Sequence, residues 1–339
     1  MAAKPSIAIV GPGRFGTALA RALIGAGYRL SEIVSGRSKT SRQNARGLAR
    51  FAKTATSLTK SRLDVDVIWL CVPDQQIEET ADKLASANNW KQKVVFHSSG
   101  ALASNVLNAL HQRGAAVASV HPVMTFVRGS APLFNGIPFG IEGDTAAVRV
   151  ARRIIADLGG ESFAVRKQDK ALYHVWGMFT SPLLLSLVAI AEQVGCAAGV
   201  PAKDVRKKMM PIMMQTLANY AKLGPADSFS GPLVRGDVAT VRKHLNALNK
   251  FPDAKKIYVA LAQAAMKRLP VQNRTAIEKI LRSPQRLKPL EPYDSRRKAK
   301  RPCSTFSTTI RGSLGVGFAV RGLWPRRNQP PQRIDEHRQ

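Results

Sequence analysis

The chain contains 339 residues, of which 45% are hydrophobic, and carries a formal net charge of +30 at pH 7. This length fits about two domains of roughly 150 residues each. Three cysteines without a C-x-x-C pair argue against a disulfide framework or a zinc site and favour a reducing, cytoplasmic setting. The positive charge favours anionic ligands. A phosphorylated cofactor is preferred over nucleic acid because no nucleic-acid-binding signature is present.

The first part of the chain alternates short apolar runs with amphipathic stretches. Strands are predicted at residues 6–11, 32–36, 65–72, 93–99, 116–122 and 139–143, and the first helix at 17–27. Near-continuous apolar strands between helices are typical of a mostly parallel sheet that helices cover on both faces. The pattern therefore predicts a doubly wound, Rossmann-like α/β domain over residues 1–165.

After residue 167 the strand pattern stops and helical patterns follow. They predict an all-α domain over residues 166–283. The longest apolar run, residues 175–191, is broken by Ser181-Pro182. We therefore expect no membrane span, which usually needs about 20 apolar residues. Residues 284–339 are rich in proline and hold thirteen basic against four acidic residues, so a disordered tail is predicted there.

The sequence IAIVGPGRFGTALA places a G-x-G-x-x-G motif between the first predicted strand and helix. The first glycine permits a tight turn, the second lets the backbone approach a pyrophosphate, and the third allows close helix–strand packing. The helix N-terminus offers amide N–H groups to the anion. A dinucleotide is therefore the predicted ligand, and the alternative is a purely structural glycine turn. The predicted cofactor-binding residues of this loop are Gly11, Pro12, Gly13, Arg14, Phe15 and Gly16.

The second predicted strand ends without the carboxylate that usually holds the ribose 2′-OH of NAD. It ends in Ser35-Gly36-Arg37-Ser38, and an arginine with two hydroxyls suits a 2′-phosphate. Lys39 and Arg42 follow closely and would assist. The sequence therefore favours NADP over NAD, with Ser35, Arg37 and Ser38 as cofactor residues. The alternative is that Arg37 is only solvated.

Three short motifs follow later predicted strands, where ligands bind in an open α/β sheet. The first is Val72-Pro73-Asp74, whose Val72 and Pro73 are expected to line the cofactor. The others are His97-Ser98-Ser99-Gly100 and His121-Pro122, in which His97, Ser98 and His121 are candidates for binding substrate or nicotinamide. The alternative is local capping and turn formation. No carboxylate pair or H-x-x-x-H spacing lies nearby, so no metal site is predicted.

The first long helical stretch of the second part carries polar residues on one face. Lys170, Tyr173, His174, Gly177 and Ser181 recur at helical spacing within an otherwise apolar segment. A lysine beside a nicotinamide can donate a proton during reduction, and His174 could do the same or hold the lysine. The alternative is that Lys170 belongs to a solvated helix start and His174 is a satisfied core histidine.

The stretch SGPLVRGD, residues 230–237, stands between two predicted helices. Its Gly-Pro pair predicts a sharp turn after the helix that carries Asn219, and Arg235 and Asp237 are expected to open the next helix. Arg235 could clamp a substrate carboxylate or phosphate, and Asp237 could orient catalytic groups such as Lys170. The alternative is an aspartate that favours the helix dipole and forms a surface pair with Arg235.

Taken in order, these motifs resemble the family that pairs a Rossmann-like domain with a DUF2520 domain. The residues that carry the resemblance are GPGRFGTALA, VPD, HSSGAL, HPVMTF, YH followed by Ser181, and SGPLVRGD followed by His244, between about residues 5 and 283. That family is similar in architecture to pyrroline-5-carboxylate reductase, ketopantoate reductase and the β-hydroxyacid dehydrogenases. The resemblance implies an NAD(P)-dependent oxidoreductase, in which a helical domain completes the site and two chains often form a dimer.

One departure from that pattern concerns Pro182. Asparagine is expected after Ser181 in the family, whereas this chain has proline, which cannot orient a substrate and kinks a helix. The overall expectation is a cytoplasmic, homodimeric, NADP-dependent reductase or dehydrogenase of a small anionic carbonyl, imine or hydroxy acid. Lys170, His174 and Asp237 are the expected catalytic residues, with His97, Ser98, His121, Ser181, Asn219 and Arg235 on the substrate. The alternative is a non-catalytic NADP-binding sensor or interaction protein.

Overall fold

The computed structural model describes residues 3–36, 38–86, 89–128 and 133–282. Arg37 and the predicted tail at 284–339 lie outside the described residues. The chain divides into two compact units, Met1–Leu185 and Ser186–Gln339. The predicted domain limits at residues 165 and 283 stay predictions.

An eight-stranded sheet forms the centre of the first unit. Its strands are β1 (Ile7–Val10), β2 (Leu30–Val34), β3 (Lys53–Ala55), β4 (Val67–Leu70), β5 (Val94–His97), β6 (Ala116–Pro122), β7 (Pro138–Gly143) and β8 (Glu161–Ala164). They lie in the order β3-β2-β1-β4-β5-β6-β7-β8. All neighbouring pairs are parallel except β6 and β7. The predicted mostly parallel, Rossmann-like α/β sheet is thus confirmed.

Helices cover both faces of this sheet. They are α1 (Arg14–Gly25), α2 (Lys39–Leu48), α3 (Ile77–Ala85), α4 (Asn108–His111) and α5 (Thr145–Asp157). Two further helices, α6 (Lys170–Thr180) and α7 (Pro182–Ala197), follow in the chain. Successive strand residues point to opposite faces, so Ile7 and Ile9 pack with α1, α2 and α5, whereas Ala8 and Val10 pack with α3 and α4. The core therefore consists of two apolar layers with the strands between them.

Two polar rows cross the sheet near the carboxyl ends of β5 and β6. His97, Ser119 and Glu142 are paired side by side across β5, β6 and β7, and all three are buried. His121, two residues after Ser119 on the same strand, pairs with Gly140. Ser119 and His121 therefore point to the same face of the sheet. We call this group of residues, His97, Ser119, His121 and Glu142, the polar edge of the sheet.

Helix α6 has its polar face turned inward. Lys170 is buried, and Tyr173, His174 and Gly177 are the half-buried positions of the helix. The opposite face is apolar and exposed, and Phe179 has a relative exposure of 66%. The helix ends at Thr180, because Ser181 has non-helical angles of φ −133° and ψ −81° before Pro182. The chain direction therefore changes where the proline was expected to interrupt the helix.

The stretch Lys167–Ala197 is long and apolar enough to cross a membrane, with a mean hydropathy of 1.6 in its most apolar window. Length and composition are weak criteria, and a single stretch of this kind does not indicate a membrane protein.

The second unit contains the helices α8 (Ala202–Asp227), α9 (Val238–Ala247), α10 (Pro252–Arg268) and α11 (Arg274–Arg282). Val241, Leu245, Met266 and Ile277 are buried together in its core. The all-helical reading of this part of the chain holds for the described residues 199–282, in which no strand is present.

Candidate active site

The loop between β1 and α1 has the geometry that a pyrophosphate requires. Gly11 has φ +93°, a conformation that favours glycine. A Cβ at Gly16 would collide with the carbonyl oxygen of Gly11, whereas a Cβ at Gly13 would meet nothing within 4 Å. Glycine at position 16 thus allows close packing of α1 on the strand, and Gly13 leaves open space against the backbone. These are the roles expected from the sequence.

The N-terminus of α1 is suited to an anion. Gly13 precedes the helix without any side-chain cap, and the first turn has no acidic residue. The first amides of a helix have no partner within it and carry the positive end of its dipole. The ring of Phe15 packs on Phe126 at a centroid distance of 5.1 Å. Arg14 is exposed beside the loop.

The end of β2 leads directly into a basic helix start. Ser38 caps α2 by accepting a hydrogen bond from the amide of Ser41 at 3.1 Å. Ser35 is buried, and its hydroxyl lies 3.3 Å from the carbonyl of Ala55. Lys39 and Arg42 are exposed in the first turn of α2. A phosphate group near Ser38 would therefore meet basic side chains and helix amides, while the Ser35 hydroxyl is already occupied.

A side chain of α2 also holds the phosphate loop. The amide of Asn44 donates to the carbonyl of Pro12 at 2.8 Å, and the Thr17 hydroxyl lies 3.2 Å from the same oxygen. On the other side, a Cβ at Gly11 would come within 2.9 Å of the Val72 side chain. Val72 thus lies beside the glycine loop and Pro73 follows it at an exposed position, and contact of either with the cofactor stays a prediction.

The turn after β5 is held by a dense set of hydrogen bonds. His97 is fully buried, its Nδ1 accepts from the amide of Ser99 at 3.2 Å, and its Nε2 lies 3.3 Å from the carbonyl of Ala103. The Ser99 hydroxyl donates to Asp74 at 2.7 Å. The Ser98 hydroxyl accepts from Trp69 at 2.7 Å. His97 and Ser98 therefore shape this turn, and a direct contact of either with substrate stays a prediction.

Lys170 reaches the centre of the polar edge. Its ammonium donates to the carbonyl of Ser99 at 3.1 Å and to the hydroxyl of Ser119 at 2.9 Å, and the residue is only 2% exposed. Burial lowers the pKa of Lys170 to about 8, and the negative charges of Glu142 and Asp74 oppose that fall. The group can therefore exchange a proton near neutral pH.

His121 and His174 face each other across Gly100. A Cβ on Gly100 would lie 2.8 Å from Nε2 of His121 and 2.9 Å from Cδ2 of His174. The Nδ1 atom of His121 is 2.7 Å from the hydroxyl of Tyr173. The structure thus brings Lys170, His174 and His121 together at one edge of the sheet, whereas Ser181 follows α6 with non-helical backbone angles.

The remaining predicted site residues lie in the second unit. Asn219 is on α8 and accepts from Gln215 at 2.6 Å. Asp237 caps α9, accepting from the amide of Thr240 at 2.9 Å, and this bond lowers the pKa of its carboxyl. Arg235 is exposed in the turn before α9 rather than within the helix, which begins at Val238. The expectation that Arg235 opens this helix is therefore wrong. The proposed roles of Asn219, Arg235 and Asp237 stay predictions.

Three residues at the polar edge had no assigned role in the sequence analysis. Ser119 binds Lys170, Glu142 accepts the amide and hydroxyl of Ser104 at 2.5 and 2.8 Å, and Tyr173 binds His121. Ser119 precedes His121 by two residues, which is a strand spacing that places both on one face. Glu142 is a lone carboxylate in an apolar strand. The spacing of Ser119 and His121 and the single carboxylate of Glu142 are both visible in the sequence, and they could have indicated these residues.

Comparison with known proteins agrees with this organisation. Residues 1–122 match the model of a Rossmann-like domain, and residues 137–265 match the model of DUF2520, a domain of unknown function. The chain thus combines a Rossmann-like domain with a DUF2520 domain, which confirms the resemblance drawn from its motifs. No curated protein matches the sequence.

Several solved structures have a similar fold. Protein BF3122 of Bacteroides fragilis, provisionally described as an NADP oxidoreductase, is 21% identical with a TM-score of 0.66, over 78% of this chain and 99% of that one. Protein TM1727 of Thermotoga maritima is 24% identical, TM-score 0.61, over 81% and 100% of the two chains. An imine reductase of Myxococcus stipitatus in complex with NADP+ is 19% identical, TM-score 0.57, over 82% and 99%. At these identities the likeness shows a common fold.

The buried histidines predict how stability changes with pH. Burial and the charge of Lys170 lower the pKa of His97 to about 3 and of His121 to about 4, from an ordinary 6.5. Both rings are neutral in the folded state at pH 7, whereas the unfolded chain takes up protons below pH 6.5. Folding stability should therefore be complete above pH 6.5 and fall towards pH 4, with about 3 kcal/mol of the loss due to His121.

The measurement is urea unfolding at a series of pH values, followed by the fluorescence of the buried Trp69 and Trp90. His121→Gln should flatten the dependence between pH 6.5 and 4. Gln112→Ala, which changes an exposed residue without a titratable side chain at the end of α4, should leave the dependence as in the wild type. Equal pH dependence in wild type and His121→Gln would contradict the expectation.

Proposed function

We propose that the protein is an NADP-dependent oxidoreductase that acts on a small carbonyl, imine or hydroxy-acid substrate. The observation that carries the proposal is the placement of Lys170, with its lowered pKa, at the same sheet edge as the glycine loop. The carboxyl ends of parallel strands meet at one edge, and there doubly wound sheets bind their ligands. The fold shared with an imine reductase that binds NADP+ supports the same class of reaction.

The cofactor residues have separate roles in this proposal. The open backbone at Gly13 and the amides of α1 would hold the pyrophosphate. Ser38, Lys39 and Arg42, with Arg37, would hold the 2′-phosphate of NADP, because no carboxylate stands there to bind a free hydroxyl. When bound, the nicotinamide supplies or accepts a hydride.

Lys170 and His174 are the two candidates for handling the proton. Lys170 has a pKa near the working range of a general acid, and His174 is the more exposed of the two. Arg235 is proposed to anchor an anionic substrate, with Asn219, Ser181 and Asp237 in supporting roles. A non-catalytic sensor is the second candidate, favoured by Pro182, which stands where an asparagine is expected after Ser181.

A homodimer is part of the proposal. Apolar side chains on one side of α6 and at the start of α7 are exposed, among them Leu172 at 71%, Phe179 at 66% and Leu185 at 67%. Contiguous exposed apolar surface of this kind marks an interaction site in soluble proteins. A second copy of the chain would cover this surface, which accounts for the apolar character of the stretch without a membrane.

Cofactor selectivity is the first test of the proposal. NADPH should bind more tightly than NADH in calorimetric titrations of the purified protein. Arg37→Ala and Arg42→Ala should each weaken NADPH about tenfold to a hundredfold, the effect of losing a charged hydrogen bond, and leave NADH unchanged. Arg46→Ala, at the far end of α2, is the matched control and should change neither. A protein that binds neither cofactor would refute the oxidoreductase assignment.

Turnover separates the enzyme from the sensor. With a substrate found by screening 2-oxo acids and imines for NADPH oxidation, Lys170→Met and His174→Ala are compared with His111→Ala. The variant that lacks the proton donor should have a kcat lower than that of the wild type by a factor of about 10² to 10⁴. Its affinity for NADPH should be unchanged. His111→Ala should retain full turnover. Unchanged kcat in both site variants would exclude both residues as the proton donor.

Molar mass in solution tests the dimer. The 36.8 kDa chain should elute as a particle of twice its mass in light scattering coupled to size exclusion. The double variant Phe179→Glu, Leu185→Glu should be monomeric, because two carboxylates would be buried without partners in the interface. Leu133→Glu changes another exposed leucine, away from α6 and α7, and should stay dimeric. A monomeric wild type would refute the homodimer.

A further inference from the structure

Tyr173 and His121 form a close pair beside the catalytic candidates. The Tyr173 hydroxyl lies 2.7 Å from Nδ1 of His121, and the two rings are perpendicular with centroids 5.6 Å apart. One partner is on α6 and the other on β6, so the bond connects the helix to the carboxyl end of the sheet. Neither residue is fully buried, and the pair lies at the edge of the site rather than beneath it.

Two glycines make room for this pair. A Cβ on Gly140 would lie 2.6 Å from the Tyr173 hydroxyl oxygen, and a Cβ on Gly100 would lie 2.8 Å from Nε2 of His121. Any larger residue at position 140 would displace the phenol, and any at position 100 would displace the imidazole. Glycine at both positions therefore leaves room for the phenol beside Nδ1 and places Nε2 of His121 next to Gly100 and His174.

The bonds at the phenol oxygen indicate which partner donates. Burial raises the pKa of Tyr173 to about 12, while burial and the nearby Lys170 and His174 lower the pKa of His121 to about 4. Both groups are therefore neutral at pH 7. The phenol oxygen accepts a hydrogen bond from the backbone of Gly140, so its single hydrogen is left for Nδ1 of His121, 2.7 Å away. When the phenol donates to Nδ1, the ring hydrogen of a neutral imidazole is on Nε2.

We propose that Tyr173 is a positioning residue that fixes His121 as the Nε2–H tautomer and so presents a neutral N–H donor to the substrate. The Nε2–H group lies on the side of His121 that faces Gly100 and His174. Its substrate partner is an acceptor oxygen, such as the carbonyl or carboxylate oxygen of a 2-oxo or 2-imino acid. The substrate part of this inference rests on the proposed function, whereas the tautomer does not.

A neutral donor differs from Lys170 in what it can do. It orients an oxygen without adding a charge, and it leaves proton transfer to Lys170 or His174. Losing a single oriented donor usually weakens binding by about tenfold. Tyr173→Phe should therefore raise KM about tenfold and leave the affinity for NADPH unchanged.

The tautomer can be read directly by long-range ¹H–¹⁵N NMR of the histidine rings in the full chain, without cofactor or substrate. His121→Gln identifies the His121 signals. The wild type should show the Nε2–H form, and Tyr173→Phe should shift His121 towards a mixture of both forms. His97 is an internal standard, because its Nδ1 accepts from the Ser99 amide and its tautomer should stay Nε2–H in every variant.

Tyr258→Phe is the matched control. It removes a similar bond in the second unit, between Tyr258 and Nδ1 of His244 at 3.1 Å, and should change His244 without changing His121. If Tyr173→Phe does not fold, Gly140→Ala displaces the same phenol and should give the same mixture. An Nδ1–H form in the wild type, or an unchanged His121 in Tyr173→Phe, would overturn the inference. Absence of NADPH binding would refute the proposed function but leave the tautomer result intact.

Discussion

The ammonium group of Lys170 attaches helix α6 to the carboxyl end of the sheet. A buried charge is costly unless hydrogen bonds satisfy it, and here the acceptors come from two places, the turn after β5 and strand β6. Because Lys170 is held there, the residues three and four positions later, Tyr173 and His174, must face the same edge. The orientation of the whole helix, including its exposed apolar side, follows from this one group.

The polar edge combines groups that have different charge states at neutral pH. Burial holds His97 and His121 neutral and brings Lys170 close to the point of losing its proton. A carboxylate, Glu142, lies in the same row and opposes the loss of that proton. The edge therefore combines Lys170, a cation with a lowered pKa, with two neutral imidazoles and a carboxylate.

Features that depend on the local sequence pattern were predicted from the sequence, whereas contacts that depend on the register between strands were not. The glycine loop, the six apolar strands and the inward face of α6 follow from spacing along the chain, and the structure contains each of them. Strands β3 and β8 escaped prediction because they are short, largely exposed and at the sheet edges. The pairing of His121 with Tyr173 needs the reversed direction of β7 and its register with β6, which no local pattern in the sequence specifies.

The space left by Gly100 and Gly140 bears on how this fold can change over evolution. Each glycine is matched to an aromatic ring far away in the chain, so neither partner can be replaced alone without loss of fit. Position 140 should then covary with position 173, and position 100 with positions 121 and 174, across related sequences. Relatives that carry alanine or larger residues at both glycine positions would form a separate group with a different set of donors at this edge. The residues at positions 100 and 140 would then be enough to divide the family into groups with different hydrogen-bond donors at this edge.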